Sequence, residues 1–214
     1  MNRLQGCKRV GRECGLGSAA MTTTVGATGE DLQTVEWWDD AWNKIQQSRN
    51  WDFLWEASTV TILATTNVTT GSIPASRYEH DRVTDSNGSP LTYMPWALFT
   101  RVYPAALYAA GNPSVWTIRP DKAFVTNAKP TSNFAISVER YKNPVVLTTD
   151  SDATTGTPAL PAEHHMLIVW RAVMLYAGHD EASELYRHAN AEYKKVLTAM
   201  GITDMPAITW ECGW

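Results

Sequence analysis

Apolar residues recur three and four positions apart in the first and last quarters of the chain, the spacing of one helix face. This pattern predicts one helix over residues 2–14, ended by Gly15 and Gly17, and a second over about residues 30–48, capped by Thr28. The second helix is expected to bury a single stripe of side chains: Leu32, Val35, Trp38, Trp42 and Ile45.

Two further helices are predicted near the end of the chain, over about residues 161–177 and 180–200. Pro161 stands where a first helical turn begins, and Gly201 is expected to end the last helix. The first of the two is apolar nearly all round, which indicates a central, buried helix. Because the connection between them is short, they should be antiparallel neighbours.

Between these helices the apolar period shortens to two, as in half-buried strands. Thr59–Thr65 alternates in this way, and Asn87-Gly88 indicates a hairpin. One or two helical turns are expected within Pro95–Tyr108, broken at Pro104. Three more strands are predicted over Val115–Arg119, Lys122–Thr126 and Phe134–Tyr141.

The order of these elements predicts an α+β protein. We expect an antiparallel helix bundle of about four main helices, with an antiparallel β region inserted between the second helix and the C-terminal helix pair. The expected segments are the N-terminal helices over 1–55, the β-rich insertion over 56–147, the C-terminal helix pair over 148–201, and an extended docking tail over 202–214.

Composition narrows the class of protein. Of the 214 residues, 44% are hydrophobic and 19% are charged, which excludes intrinsic disorder. The net charge of -4 argues against general attraction to nucleic acid. Residues 1–20 contain no signal-peptide-like apolar run, and the apolar stretch over 166–177 is too short to cross a bilayer, so we expect a cytosolic protein without membrane contact.

No catalytic, cofactor-binding or metal-binding constellation is recognisable in the sequence. Asp150 and Asp152 suggest a calcium loop, but Pro161 stands where its last ligand would be. His164 and His165 are adjacent and would point about 100° apart on a helix, so they are unsuited to one metal. A hydrolase using one of these His residues stays open as an alternative.

Ten Trp residues are unusual for this length, and some of them are expected to serve partners rather than the core. For five of them the helical spacing favours a core role over sugar-stacking platforms: Trp37, Trp38, Trp42, Trp51 and Trp55. The first helix carries several cations on the sides away from its apolar face, which indicates a solvated face or contact with an acidic partner. The cations taken as candidate partner contacts are Arg3, Arg9 and Arg12.

The order of features resembles the head-to-tail adaptor (connector, head-completion) proteins of tailed bacteriophages. The resemblance spans roughly residues 2–200 and begins with a short helix and a Gly/Thr-rich loop. It continues through Trp38-Asp39-Asp40-Ala41-Trp42, Trp51-Asp52-Phe53-Leu54 before Thr59-Val60-Thr61, Tyr141-Lys142-Asn143-Pro144, Leu160-Pro161-Ala162-Glu163-His164-His165, and a closing helix with Ala182 to Tyr193.

The resemblance implies a non-enzymatic virion protein without cofactors, made in the host cytoplasm and located at the neck. It implies a homo-oligomeric ring of twelve copies beneath the portal, with a tail nozzle, tail tube or neck protein below it. The ring would extend the channel through which phage DNA passes without sequence specificity. The alternative is a glycan- or receptor-binding tail component that uses exposed Trp residues.

The last residues of the chain have no periodicity and cannot bury their apolar side chains against one another. We expect three of them to contact a partner, most simply the portal: Ile208, Trp210 and Trp214. The alternative is that this tail folds back onto its own subunit.

Overall fold

The computed structural model describes residues 1–66, 68–72, 77–78, 83–104, 109–121, 123–150 and 157–203. The chain divides into two compact units. A helical unit comprises Met1–Leu54 and Pro144–Trp214, and a β unit comprises Trp55–Asn143. The described residues confirm an α+β protein with five α-helices and two sheets.

The helices are α1 Arg3–Cys14, α2 Glu30–Ser48, α3 Trp96–Val102, α4 Met166–His179 and α5 Ser183–Thr203. The strands are β1 Trp55–Ile62, β2 Val68–Ser72, β3 Arg77–Tyr78, β4 Thr84–Asp85, β5 Thr92–Tyr93, β6 Ala109–Ala110, β7 Val115–Ile118, β8 Ala123–Thr126, β9 Ala128–Lys129 and β10 Phe134–Tyr141. Helix α3 belongs to the β unit and the other four belong to the helical unit.

Local sequence explains the limits of α1. The Asn2 side chain accepts a hydrogen bond from the Gln5 backbone at 2.8 Å, and the Gln5 side chain accepts one from the Asn2 backbone at 3.0 Å. This reciprocal capping box satisfies two donors that the first turn leaves unpaired. Gly15 then ends the helix with a left-handed φ of 71°. The predicted first helix and its stop are confirmed.

Helix α2 is confirmed over its predicted length, but two details were wrong. The residue that precedes it is Gly29, at φ 62°, and Thr28 does not cap it. Glu30 and Asp31 in the first turn instead place negative charge at the positive end of the helix dipole. The rest of the predicted stripe is buried, whereas Leu32 is 42% exposed.

Helices α1, α2 and α4 pack against one another, and α5 packs on α4. Helices α1 and α2 are in close contact at Gly6, where an ideal Cβ would lie 2.2 Å from a ring carbon of Trp38. Trp38 is fully buried, so its ring cannot swing into solvent. Because glycine has no Cβ, Gly6 allows this contact between the two helices.

The last two helices pack against each other, with the ring centroids of Trp170 and His188 5.5 Å apart, but their limits differ from the prediction. Pro161 precedes a short 3-10 turn over Ala162–His164, and α4 begins only at Met166. Helix α5 passes through Gly201 and continues to Thr203, so the predicted stop was wrong. A glycine permits a helix to end, but a helix with a packing partner can pass through one.

The β unit is built around a long antiparallel pair, in which Trp55 of β1 lies opposite Tyr141 of β10 and Ile62 opposite Phe134. The main sheet has the order β3-β10-β1-β2-β8-β7-β5, and β4 also pairs with β10. Its core is one cluster of buried side chains: Ile62, Val83, Leu91, Trp116, Phe124, Ile136 and Val138. Phe134, Ile136 and Val138 share one face, as the alternation predicted.

Two features of the β unit depart from the sequence prediction. The region is not wholly antiparallel, because β5 pairs with β7 and β6 with β9 in parallel. The turn at Asn87-Gly88 forms, with Asp85 accepting hydrogen bonds from the backbone of Asn87 and Ser89 at 2.8 Å each. The segments on either side of it pair with each other, since the Leu91 N–H donates to the Val83 carbonyl at 2.8 Å and Thr84 bridges Pro90, so the predicted hairpin is confirmed. The predicted first strand begins at Trp55 rather than Thr59.

We predict that Gly6→Ala lowers the free energy of unfolding by about 1–3 kcal/mol, because the added methyl group overlaps a buried indole. Gly178→Ala in α4 is the matched control, since a Cβ there meets no atom within 4 Å. That control should be neutral or stabilising by up to about 1 kcal/mol. Urea unfolding of both variants checks the prediction, and equal midpoints for Gly6→Ala and wild type would contradict it.

Candidate partner-binding surfaces

The outer side of α1 is basic. Arg12 is exposed, Lys8 is half-buried, and Arg9 pairs with Glu13 at 2.6 Å, one turn further along the helix. Cys7 and Val10 lie on the opposite, buried side. The structure therefore leaves Arg9 and Arg12 at the surface, where the sequence predicted partner contacts.

Arg3 is placed differently from the other cations of α1, because it is buried. Its guanidinium forms an ion pair and two hydrogen bonds with the Asp39 carboxylate of α2, and it donates to the Thr24 hydroxyl at 3.0 Å. Burial alone would lower the pKa of Arg3, but the bond with Asp39 raises it, so the group stays charged. Arg3 therefore joins α1 to α2 and to Thr24 within its own chain.

This buried network extends to the segment before α4. The Asp150 carboxylate accepts hydrogen bonds from the Thr23 hydroxyl at 2.6 Å, the Thr24 backbone at 2.8 Å and the Thr24 hydroxyl. Burial would raise the pKa of Asp150, but these hydrogen bonds lower it below its ordinary value. The sequence analysis missed this contact, since the two segments lie 126 residues apart and neither carries a local motif for it.

Most of the described Trp residues serve the core. The buried ones are Trp38, Trp42, Trp51, Trp116 and Trp170. Trp42 also donates its indole N–H to the Val145 carbonyl at 2.8 Å, and Trp51 donates to the Ile45 carbonyl at 2.7 Å. Trp55 is 43% exposed. The core role favoured by the helical spacing is confirmed for Trp38, Trp42 and Trp51.

Helix α3 presents apolar side chains outward. Phe99 is buried between Trp96 and Tyr103, with ring centroids 6.2 and 5.2 Å away. On the other side, Leu98 and Val102 are 46% and 49% exposed. Two aliphatic side chains one turn apart form a small apolar surface on the β unit.

The two adjacent His residues lie at the start of α4, and both are buried. The Nε2 atom of His165 lies 2.7 Å from the Leu160 carbonyl, and its Nδ1 atom lies 2.7 Å from the Met1 amine. Since a carbonyl only accepts and an ammonium only donates, Nε2 carries the proton and Nδ1 accepts. Burial lowers the pKa of His165, in keeping with this neutral form.

In the part of the chain that the structure describes, no three His, Cys, Asp or Glu side chains are grouped so that they could hold a metal ion. None of the described helices combines the length and the apolar character needed to cross a membrane. Ile208, Trp210 and Trp214, the predicted contacts of the tail, lie outside the described residues.

A two-unit α+β chain with a charged outer helix and a Trp-rich core fits a structural protein that contacts other proteins. The family model described as SU10 adaptor protein matches residues 9–209. Because this match covers nearly the whole chain, the protein belongs to this family of phage head–tail adaptor proteins, which confirms the resemblance. A search of curated proteins gives no significant match.

Membership of the family supports a structural adaptor role in the phage. It implies association with portal and tail proteins and a location at the neck of the virion. A structural family also suggests a non-enzymatic protein.

We predict that Asp150→Ala lowers the free energy of unfolding at pH 7 by about 1–3 kcal/mol, because Thr23 and Thr24 lose a charged acceptor. The pKa of Asp150 is lowered by folding, so its contribution is present above the unfolded value of about 3.9 and is lost as the pH falls through the folded value. The difference in free energy of unfolding between Asp150→Ala and wild type should therefore become smaller as the pH is lowered into the acid range.

The exposed Asp52, replaced by Ala, serves as the control for this prediction and should change stability by less than about 0.5 kcal/mol. Urea unfolding across a pH series measures both variants. If the difference in free energy of unfolding between Asp150→Ala and wild type stays constant from neutral to acid pH, the charge of Asp150 does not contribute to stability and the prediction is contradicted.

Proposed function

We propose that the protein is a non-enzymatic adaptor that forms a twelve-copy ring beneath the portal of a phage capsid, extends the DNA channel and connects head to tail. The observation that carries this proposal is the family match over residues 9–209. The partners are the portal above and a nozzle, tube or neck protein below.

The charge of the chain is in keeping with a DNA conduit. With a net charge of -4, the protein has little general attraction for phosphate, and DNA can pass without being held. Passage would require no sequence-specific contact. We therefore assign DNA the role of a transient partner, and proteins the role of stable ones.

The C-terminal tail is the part of the chain that we propose to contact the portal. It begins after α5, which ends at Thr203, and carries Ile208, Trp210 and Trp214. Trp side chains in pockets are frequent anchors at protein interfaces, and each would contribute on the order of 2 kcal/mol. Repetition around a ring multiplies this contribution through avidity.

A glycan- or receptor-binding role is less well supported by the structure. Sugar-stacking platforms need exposed aromatic faces, and among the described Trp residues only Trp55 is classed as exposed. Trp38 and Trp42, which the sequence places side by side on α2, are buried. The adaptor function is therefore the one we put forward.

We predict that deleting residues 204–214 abolishes binding to portal rings of the same phage, because the Trp anchors are lost, while thermal unfolding of the free protein changes little. Co-sedimentation with portal rings and negative-stain microscopy measure attachment. Trp55→Ala, which removes an exposed indole outside the tail, is the control and should still bind.

Two results would contradict this assignment of the tail. A truncated protein that unfolds many degrees earlier would place the tail in its own core. Full attachment of the truncated protein to portal rings would move the portal contact elsewhere on the chain.

We predict that the free protein is monomeric or weakly associated and forms rings only on the portal, because its ring contacts are completed during assembly. Sedimentation velocity of the purified chain, with and without portal rings, checks this. A stable closed ring in the absence of portal would reject it.

A further inference from the structure

Two exposed faces of the helical unit carry like charges at the same spacing. On α1, the cations Lys8 and Arg12 lie four residues apart; on α2, the anions Glu36 and Asp40 do the same. Four residues correspond to about 6 Å along a helix. The two pairs therefore have opposite sign and matched separation.

Neither pair is neutralised by an ion pair with another described residue. Among the residues that the structure describes, no ion pair engages Lys8 or Arg12 of α1, nor Glu36 or Asp40 of α2. Lys44, four residues beyond Asp40 on α2, also forms no ion pair with any described residue. Like charges four residues apart destabilise the helix that carries them, so both faces would gain from an opposite charge.

The packing of the helices keeps these two faces from meeting within one copy. Helices α1 and α2 contact each other through their inner sides, where Gly6 lies on Trp38 and Arg3 bonds to Asp39. On α1, the helical period places Lys8 and Arg12 on the side away from these contacts. On α2, Glu36 and Asp40 are exposed on the flank beside Asp39. Within one copy, the cations of α1 therefore face away from the anions of α2.

We propose that the opposite charges come from a second copy of the chain, with Lys8 and Arg12 of one copy lying against Glu36 and Asp40 of the next. The inference rests on the ring that the proposed function requires. Such a contact is head-to-tail, so every copy keeps one free face of each sign and the series continues until a ring closes. Bound DNA would account for the cations alone and would leave the acidic face of α2 without a counterpart.

Such a contact would be weak, as expected for copies that assemble only when they are held on another ring. Ion pairs between exposed side chains are individually weak and are screened by salt. Free copies would then associate only slightly, and more at low ionic strength. Once copies are held side by side on another ring, the same pairs would fix their order and orientation.

The test reverses the charge of each face. Lys8→Glu/Arg12→Glu makes both faces acidic, and Glu36→Lys/Asp40→Lys makes both basic. We expect each double variant to lose the low-salt association measured by sedimentation velocity, because every contact becomes repulsive. An equimolar mixture of the two variants should associate again, in alternating order, and so should the quadruple variant that carries both reversals.

A control keeps this experiment interpretable. Lys194→Glu/Lys195→Glu reverses two cations on the exposed side of α5 and should associate like wild type. Circular dichroism of every variant separates loss of contact from loss of folding. Carbodiimide cross-linking of wild type should join Lys8 of one copy to Glu36 or Asp40 of another.

The outcomes separate this inference from the adaptor role. If reversed and wild-type chains associate equally and form the same rings on portal, the α1–α2 contact is wrong and the adaptor function stands. If copies cross-link through these faces but no chain attaches to portal, the contact stands and the adaptor function fails. Failure of the mixture to restore association would overturn the contact.

Discussion

The helical unit depends on how closely α1 and α2 approach each other, and Gly6 and Trp38 set that distance. The Trp38 indole lies directly against the backbone of Gly6. Any side chain at position 6 would overlap the ring unless the two helices moved apart. Beside this contact, Arg3 and Asp39 place a paired charge at the same helix interface. The ion pair and the Gly6–Trp38 contact therefore both join α1 to α2 at this interface.

The same contact determines where the exposed charges of α1 and α2 point. The inner sides of both helices are buried around Trp38, Arg3 and the apolar stripe of α2. Their polar sides therefore face outward. Trp38, Trp42 and Trp51 are buried in the helical unit, whereas the exposed sides of α1 and α2 carry charged side chains. Interfaces of this kind favour correct orientation over tight permanent binding.

The sequence predicted structure that depends on neighbouring residues well, but it did not predict contacts between segments that are far apart in the chain. Asn2, Gln5 and Gly15 specify the ends of α1 through contacts within one helical turn, and the stripe of α2 follows from its period. The predicted helix stop at Gly201 and the predicted cap at Thr28 were wrong, because tertiary packing can override the local preference of a single residue. The bond between Thr24 and Asp150 and the parallel pairing of β5 with β7 join distant segments, for which no local pattern exists.

The helical unit is assembled from both ends of the chain, with the β unit between them. During synthesis, α1 and α2 leave the ribosome first and must wait for α4 before Trp38 and Trp42 can be covered. The β unit has all its strands by Tyr141, and Trp55 pairs with that last strand, so it can close while the helices are still incomplete. The order of translation thus allows the β unit to close before the helical unit is complete.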